Sequence, residues 1–212
     1  MTDNRIELFK NSLSQSLTGF DLPTLSESQF ASLVTHYEML SRWNRRINLT
    51  RIVDPAEAAR LHYGESLFGG RFIGDAITAL DIGSGAGFPG IVLAALRPDV
   101  QITALEINQK KTLFLNEAAD AMGLKNFKVA RARLEEFDRS DYDLLTSRAL
   151  DRAKEMIQPV VDSLGARQRL MLYSTRDLAL KLADVSENDK SVAIHPIPQS
   201  ESRVIAIFST SQ

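Results

Sequence analysis

Apolar residues recur at helical spacing through the first third of the chain. A break at Leu22-Pro23 divides a first amphipathic segment from a second, and Ser26 with Gln29 has the spacing of a capping box at the start of the second. Asp54-Pro55-Ala56-Glu57 is a third helix start, because it combines a capping side chain, a proline in the first turn and an acid. Residues 1–70 are therefore predicted to form a helical cap, with apolar stripes at Ile6, Phe9, Leu13 and Leu17 and at Phe30, Leu33, Val34, Tyr37 and Leu40.

The pattern changes near residue 77, where short apolar runs begin to alternate with helical segments. Gly64, Gly69, Gly70 and Gly74 are expected to loosen the chain just before this change. The last two apolar runs are joined by residues 198–202 alone, which are too few for a crossover helix, so these runs should pair as an antiparallel hairpin. The predicted strands are 77–82, 100–105, 127–132, 142–147, 168–173, 191–197 and 203–209, and the predicted helices are 89–97, 109–122, 151–164 and 175–184, with a short turn near 134–138.

Strand–helix alternation of this kind predicts an α/β fold with a mostly parallel, doubly wound sheet over residues 71–212. A parallel sheet that ends in an antiparallel hairpin is the usual layout of class I S-adenosylmethionine-dependent methyltransferases, which have a Rossmann-like fold. We therefore expect a chain of two parts, the helical cap and a methyltransferase-like sheet domain.

Composition narrows the class of protein without indicating an activity. Of the 212 residues, 44% are hydrophobic and 25% are charged, the net charge is −2, and cysteine is absent. Disulfides and thiolate metal sites are excluded, and without an apolar run of membrane-spanning length we expect a cytoplasmic protein. Two arginine clusters are either polyanion contacts or solvated helix faces; they are Arg42, Arg45, Arg46 and Arg51, and Arg131, Arg133, Arg139, Arg148 and Arg152.

The stretch Asp81-Ile82-Gly83-Ser84-Gly85-Ala86-Gly87-Phe88-Pro89-Gly90 lies between the first predicted strand of the sheet and the helix that follows. Closely spaced glycines at such a junction bring backbone N–H groups near a ligand, and Pro89 suits the first helical turn. Glu106 closes the next predicted strand about 20 residues later, where an acid can accept both hydroxyls of a ribose. We therefore predict an adenosine-binding crevice that includes Gly83, Gly85, Gly87 and Glu106.

The glycine spacing alone leaves the ligand open. Gly85-x-Gly87-x-x-Gly90 also fits the dinucleotide fingerprint of nicotinamide-dependent oxidoreductases. However, Asp81 precedes the first glycine by two residues, where an acid can meet the cationic methionine part of S-adenosylmethionine. The loop also has the methyltransferase form D-x-G-x-G-x-G, and the terminal hairpin fits methyltransferases better. S-adenosylmethionine is therefore the predicted cofactor.

Two further strand ends carry candidate site residues. Leu134 and Glu135 follow the third predicted strand, where an adenine ring would be held, although Glu135 alternatively serves as a favourable charge at a helix N-terminus. Arg148 ends the fourth predicted strand and is either an anchor for a carboxylate or phosphate or the ion-pair partner of Asp81 or Asp151. No metal is expected, because His36, His62 and His195 lack the spacing of a metal site or a catalytic triad.

Four motifs occur in an order that resembles the RsmG (GidB) family. They are Trp43-Asn44-x-x-x-Asn48-Leu49-Thr50, His62-Tyr63-x-Glu65-Ser66, the glycine loop, and Ser147-Arg148-Ala149. Members of this family are bacterial methyltransferases that modify N7 of a guanine in 16S ribosomal RNA. The resemblance runs from about residue 25 to the C-terminal hairpin, and it implies 16S rRNA or a small-subunit precursor as the partner of a protein that we expect to be monomeric.

The resemblance also implies roles for individual residues. Gly83 and Phe88 resemble residues that touch the cofactor, Leu134 and Glu135 resemble the adenine pair, and Arg148 resembles the arginine near the methyl-transfer crevice. Asn48 and Thr50 resemble residues that border the substrate entrance, or else they form a helix C-cap with a polar turn. Trp43 is interpreted as a core residue rather than a base-stacking platform.

The sequence departs from the family's pattern in two places. Glu65 stands where the family usually has aspartate, and Tyr173-Ser174-Thr175 stands where a lysine–glycine pair usually ends the fifth strand, with Arg176 nearby as a substitute charge for RNA contact. A methyltransferase of another substrate and a non-catalytic rRNA-binding assembly factor with the same fold are therefore the alternatives.

Methylation at guanine N7 sets modest chemical demands on the protein. N7 has an in-plane lone pair and carries no proton, so no general base is expected. Catalysis would then consist mostly of placing N7 in line with the departing sulfur, with Arg148 as an orienting residue.

Overall fold

The computed structural model describes residues 2–148, 153–185 and 190–210. Ala149, Asp151 and Arg152, named above as candidates, lie outside these ranges, as do the first two residues of the helix predicted at 151–164. The helices are α1 (Thr2–Gly19), α2 (Glu27–Trp43), α3 (Pro55–Ala58), a π-helical turn (Ala59–Gly64), α4 (Glu65–Gly69), a 3₁₀ turn (Gly70–Phe72), α5 (Gly90–Leu96), α6 (Gln109–Met122), a 3₁₀ turn (Leu134–Glu136), α7 (Ala153–Asp162) and α8 (Arg176–Val185). The strands are β1 (Thr78–Ile82), β2 (Gln101–Leu105), β3 (Phe127–Ala130), β4 (Leu144–Ser147), β5 (Arg169–Thr175), β6 (Lys190–Pro196) and β7 (Arg203–Thr210).

The seven strands form one sheet in the order β3-β2-β1-β4-β5-β7-β6. Strands β1 to β5 pair in parallel, whereas β7 pairs antiparallel with both β5 and β6. The predicted parallel sheet with a terminal antiparallel hairpin is therefore confirmed. The strand order reverses between β1 and β4, so the carboxyl ends of these strands border the crevice where ligands bind in open α/β sheets.

Most element boundaries follow the sequence pattern, and the differences have local causes. Helix α6 has the predicted bounds and is capped by Asn108, whose side chain accepts from the N–H groups of Lys110 and Lys111. Strand β4 begins at Leu144, later than predicted. The preceding Asp143 uses its side chain at the start of β1, where its carboxylate accepts from the N–H groups of Ile77 and Thr78, at 2.9 and 3.0 Å. Pro89 is the N-cap of α5 rather than its first residue.

The N-terminal helices begin where their capping signals predict and share a core with the sheet. Ser26 and Gln29 form both halves of a capping box at the start of α2, and Asp54 accepts from the Glu57 N–H at the start of α3. A single hydrophobic cluster extends from Phe9 in α1 to Ile205 in β7. The division of the chain at residue 70 stays a prediction, because this cluster joins the helical part to the sheet.

The expectation that four glycines loosen the chain before the sheet is wrong for Gly64, Gly69 and Gly70, which continue the helical segment that begins at Pro55. A Cβ on Gly64 would lie 2.3 Å from the Phe20 ring, and one on Gly69 would lie 1.8 Å from the Tyr173 hydroxyl oxygen. These glycines are therefore required by close packing. The same segment includes the π-helical turn Ala59–Gly64, which carries His62.

Candidate active site

The loop Gly83–Pro89 connects the carboxyl end of β1 to α5 and is fixed by backbone hydrogen bonds. The N–H groups of Gly83 and Ser84 both donate to the Leu105 carbonyl, at 2.9 and 3.1 Å. Gly83, Gly85 and Gly87 have φ angles of 69°, 59° and 92°, in the left-handed region that side chains disfavour. A Cβ on Gly83 would meet no atom within 4 Å, so the surface of the loop at this residue faces open space.

Asp81 lies beneath the loop and is fully buried. Its Oδ2 accepts from the Gly90 N–H at 3.0 Å and from the Ser84 hydroxyl at 2.5 Å, while Oδ1 is buried without a partner in the described part of the chain. Burial raises the pKa of Asp81 to about 6, although these two hydrogen bonds lower it. The structure therefore places Asp81 where it holds the loop against α5, with one oxygen left over.

Glu106 connects the end of β2 to the same loop. One carboxylate oxygen accepts from the Gly85 N–H at 3.0 Å and the other accepts from the Asn108 N–H at 2.8 Å. The residue is 7% exposed. Because an ionised carboxylate has about four lone-pair sites, these two hydrogen bonds leave acceptor capacity for hydroxyl groups of a ligand.

A cavity of about 490 Å³ opens beside Gly83 and Glu106. Leu134 and Glu135, the predicted adenine pair, both line this cavity, and their contact with adenine stays a prediction. Two further apolar residues of this wall escaped the sequence analysis, Ile107 and Met156, which are 49% and 37% exposed. Ile107 directly follows Glu106 in the sequence, so its position next to the predicted ribose ligand could have marked it as a residue of the cavity.

Phe88 does not line this cavity. Its ring is buried and lies parallel to His62, with centroids 4.5 Å apart and an interplanar angle of 14°. It also makes edge contacts with His36 and Tyr63. Gly87 is buried as well, where a Cβ would lie 2.7 Å from Ile91. The structure therefore places Gly83 and Glu106 at the cavity and places Phe88 and Gly87 in the packing between the loop and the helices.

Arg148 directly follows β4, and its guanidinium group is engaged by other residues of the protein. Its side chain is 8% exposed and forms an ion pair with the buried carboxylate of Glu65. Arg203 from β7 approaches the same Glu65 oxygen at 2.6 Å. Arg148 also donates to the Leu61 carbonyl. Its partner is therefore Glu65, whereas the sequence pointed to Asp81 or Asp151.

Burial and neighbouring charges shift the pKa values of Glu65, Arg148 and His62. Burial raises the pKa of Glu65, against the effect of the two guanidinium groups, and burial lowers the pKa of Arg148. Burial and the charges of Arg148 and Arg203 lower the pKa of His62 to about 3. His62 is therefore neutral near pH 7.

The predicted substrate residues lie on the loop after α2 and at the start of α8. Asn44 holds the loop after α2 in place, because its Oδ1 accepts from the N–H groups of Leu49 and Thr50 at 2.8 and 3.0 Å. Thr50 is half-buried beside His62, Asn48 is exposed, and Trp43 packs partly buried against Phe114. Arg176 is exposed and is the first residue of α8. The sequence did not indicate several of these contacts. They are the hydrogen bonds of Asn44 and His62 to the loop after α2 and the ion pairs of Glu65 with Arg148 and Arg203.

Other features lie apart from this site. A groove of about 830 Å³ lies between α1 and α2, and none of the candidate site residues lines it. Within the described ranges, no group of three or more His, Cys, Asp or Glu side chains is placed to hold a metal ion. None of the described helices is long and apolar enough to span a membrane.

Comparisons with known proteins identify relatives of this chain. The family model for rRNA small subunit methyltransferase G, GidB, matches residues 29–203. A ribosomal RNA small subunit methyltransferase G of Solibacter usitatus (strain Ellin6076) is 34% identical over 176 residues, which are 82% of this chain and 83% of the relative. The protein of the same name from Neisseria gonorrhoeae (strain NCCP11945) is 40% identical over 135 residues, which are 64% of this chain and 65% of the relative.

Solved structures share the fold at much lower sequence identity. The crystal structure of a putative O-methyltransferase from Klebsiella pneumoniae superposes with a TM-score of 0.63 at 12% identity and covers 91% of this chain and 93% of its own. Likeness at this identity concerns the fold alone. The expectation of a class I methyltransferase fold is thereby confirmed.

Proposed function

Because the chain belongs to the rRNA small subunit methyltransferase G (GidB) family, we propose that it transfers a methyl group from S-adenosylmethionine to N7 of a guanine in 16S rRNA. The match of the family model over residues 29–203 is the observation that carries this proposal. It includes the glycine loop, Glu106, Arg148 and the loop that bears Thr50.

The residues around the cavity fit S-adenosylmethionine. The open space over Gly83 admits a ligand against bare backbone, and Glu106 retains acceptor capacity for ribose hydroxyls. Leu134, Ile107 and Met156 offer an apolar wall for adenine, and Glu135 lines the same cavity. The unpartnered Oδ1 of Asp81 is an acceptor for the cationic methionine part. We propose that Gly85 holds Glu106 in place through its N–H and that Gly87 and Phe88 support the loop from behind.

The proposed mechanism relies on placement rather than proton transfer. When bound, the cofactor supplies an electrophilic methyl group on a sulfonium. Guanine N7 carries no proton, so no side chain has to remove one, and the low pKa of His62 and His36 agrees with neutral, non-titrating neighbours of the loop. The protein's task is to hold the acceptor base in line and exclude water. In this scheme Arg148 orients His62 and Glu65 and does not bind phosphate.

The arginines after α2 support a polyanionic partner. Arg42, Arg45, Arg46 and Arg51 are exposed, and no ion pair within the described residues joins any of them to a carboxylate. They surround Asn48 in the sequence, next to the proposed substrate entrance. We propose that they contact rRNA phosphates, with Asn48, Thr50 and Arg176 closer to the acceptor nucleotide. We also propose that the protein acts as a monomer in the cytoplasm, on 16S rRNA or a precursor of the small subunit.

Nucleoside mass spectrometry of 16S rRNA tests the substrate. We expect rRNA from a strain that lacks this gene to lose one N7-methylguanine, and complementation with the wild-type gene to restore it. Persistence of the modified base in a deletion strain without a redundant enzyme would exclude guanine N7 of 16S rRNA as the substrate.

A further inference from the structure

A second cavity, apart from the one at Gly83 and Glu106, opens where α1, α2 and the loop after α2 meet. Its volume is about 350 Å³, which lies in the range of pockets that hold small ligands. It shares no lining residue with the cavity at the glycine loop among the residues that the structure describes. The polar residues that line it are Arg5, Tyr37, Ser41, Asn44, Arg45 and Thr50.

Tyr37, one of the residues of this wall, has a buried hydroxyl group that lacks a partner. The residue is 3% exposed, and its ring stacks on Phe9 of α1 with centroids 4.0 Å apart and an interplanar angle of 3°. Its hydroxyl makes no hydrogen bond within the described part of the chain. A buried hydroxyl without a partner is unfavourable, so a ligand that brings an acceptor to it gains affinity.

Internal hydrogen bonds occupy several acceptors at the same wall. Oδ1 of Asn44 accepts from the N–H groups of Leu49 and Thr50, and the Thr50 carbonyl accepts from Nδ2 of Asn44 at 2.9 Å. The Val53 carbonyl accepts from the guanidinium group of Arg5. The wall therefore presents mainly donors to a ligand.

The charges at this cavity are positive. Arg5 and Arg45 are exposed, and within residues 2–148, 153–185 and 190–210 no ion pair joins either of them to a carboxylate. None of the described residues that line the cavity is an aspartate or a glutamate. A guanidinium has five N–H donors, so the bond to Val53 leaves others of Arg5 available. Two guanidinium groups beside neutral hydroxyls suit an anion with several acceptor oxygens, such as a phosphate group.

We propose that this cavity binds a phosphate group of the 16S rRNA backbone, which Arg5 and Arg45 neutralise and to which the Tyr37 hydroxyl donates. This inference rests on the proposed function, which supplies RNA as the polyanion. Arg45 also belongs to the exposed arginines after α2, so an RNA strand on that surface passes the cavity. Arg5 precedes residues 29–203, so the family match assigns it no role. Such a phosphate contact fixes the position of the RNA and reads no sequence.

Filter binding of 16S rRNA at several salt concentrations tests the site. Arg5→Gln should weaken binding and reduce the slope of log affinity against log salt by about one unit, because one phosphate contact and its counterion release are lost. Tyr37→Phe removes only the hydroxyl and should weaken binding roughly tenfold at an unchanged slope, because the hydroxyl is neutral. The matched controls are Arg167→Gln and Tyr142→Phe, which precede β5 and β4, lie outside the cavity and should bind like wild type.

Two further measurements separate a contact with RNA from damage to the fold. Thermal unfolding should find Tyr37→Phe at least as stable as wild type, because the Tyr37 hydroxyl has no partner among the described residues of the free protein. Calorimetry should find the same affinity for S-adenosylhomocysteine in wild type and every variant, because the two cavities are separate. A Tyr37→Phe protein that loses thermal stability together with RNA affinity would overturn the inference, since Tyr37 would then act through the fold.

Inorganic phosphate distinguishes an RNA phosphate from a free one. If calorimetry at constant ionic strength shows that phosphate binds wild type but not Tyr37→Phe, while both proteins bind 16S rRNA equally, the cavity serves a free phosphate and the inference is wrong. Wild-type protein that neither binds nor methylates 16S rRNA overturns the proposed function and the inference with it. Wild type that methylates 16S rRNA, together with a Tyr37→Phe protein of equal RNA affinity, overturns the inference alone.

Discussion

At the scale of single residues, the buried His36 and the half-buried His62 hold the helical part of the chain against the glycine loop. His36 lies between the Tyr63 hydroxyl, 2.7 Å from Nδ1, and the Ala86 carbonyl, 3.1 Å from Nε2. A carbonyl only accepts, so Nε2 carries the proton and Nδ1 accepts from tyrosine. His36 is therefore neutral with its ring proton on Nε2, and His62 also stays neutral because its pKa is lowered to about 3.

This neutrality predicts acid sensitivity. Burial lowers the pKa of His36 from 6.5 to about 4. Between these two pH values, His36 is protonated in the unfolded chain and neutral in the folded chain. The contribution of neutral His36 to the free energy of unfolding is fully present above pH 6.5 and is lost as the pH falls. At about pH 4 this loss should be on the order of 3 kcal/mol. Urea unfolding of wild type and His36→Gln from about pH 4 to 7 measures this contribution.

The comparison of the two proteins isolates His36 from the other groups that titrate. His62 acts in the same direction, whereas the raised pKa of Asp81 lowers stability as the pH rises from 3.8 to about 6. Both contributions are common to wild type and variant. We expect His36→Gln to be less stable at neutral pH and to lose less stability on acidification. Parallel pH profiles would contradict the assigned role of His36.

At the scale of elements, the segment from Pro55 to Phe72 carries Glu65 and His62 to the end of β4, and its glycines set how closely it approaches. Gly69 faces the buried Tyr173, whose hydroxyl donates to the Ser66 carbonyl at 3.2 Å. We expect Gly69→Ala to cost about 1–3 kcal/mol of unfolding free energy, because the added methyl group overpacks this contact. Thermal unfolding measures the effect.

Gly165→Ala is the matched control for this substitution. A Cβ on Gly165 would meet no atom closer than 3.5 Å, and its φ angle is not in the left-handed region. The control should therefore unfold near the wild-type temperature. If Gly69→Ala unfolded at the same temperature as Gly165→Ala, the approach of α4 to β5 would not be limited by Tyr173.

At the scale of the whole molecule, the sequence predicted what short-range patterns encode. The strand–helix alternation and the short connection at residues 198–202 were enough for the parallel sheet and its terminal hairpin, which the strand pairing confirms. The spacing from the glycine loop to Glu106 likewise brought these residues to one crevice. Such features depend on neighbours along the chain or on rules that apply to every parallel sheet.

Contacts between distant segments were not predictable in this way. Glu65 meets Arg148 and Arg203 only because the helical segment, β4 and β7 converge in the folded molecule. The sequence therefore suggested Asp81 or Asp151 as partners of Arg148, both of which are nearer to it along the chain or on the adjacent strand. For the same reason Phe88, a loop residue by sequence, proved to be a core residue by packing.

The proposed activity requires that the glycine loop and Glu106 bind S-adenosylmethionine. Calorimetric titration of the wild-type protein, Glu106→Ala and Glu117→Ala tests it directly, because Glu117 is an exposed acid of α6 and a matched control. We expect wild type and Glu117→Ala to bind S-adenosylmethionine equally and not to bind NAD. Glu106→Ala should bind it more weakly by about 1–3 kcal/mol, roughly 5- to 150-fold, because the ribose loses its acceptor. Wild-type protein that binds no S-adenosylmethionine at millimolar concentration, or unchanged affinity in Glu106→Ala, would contradict the claim.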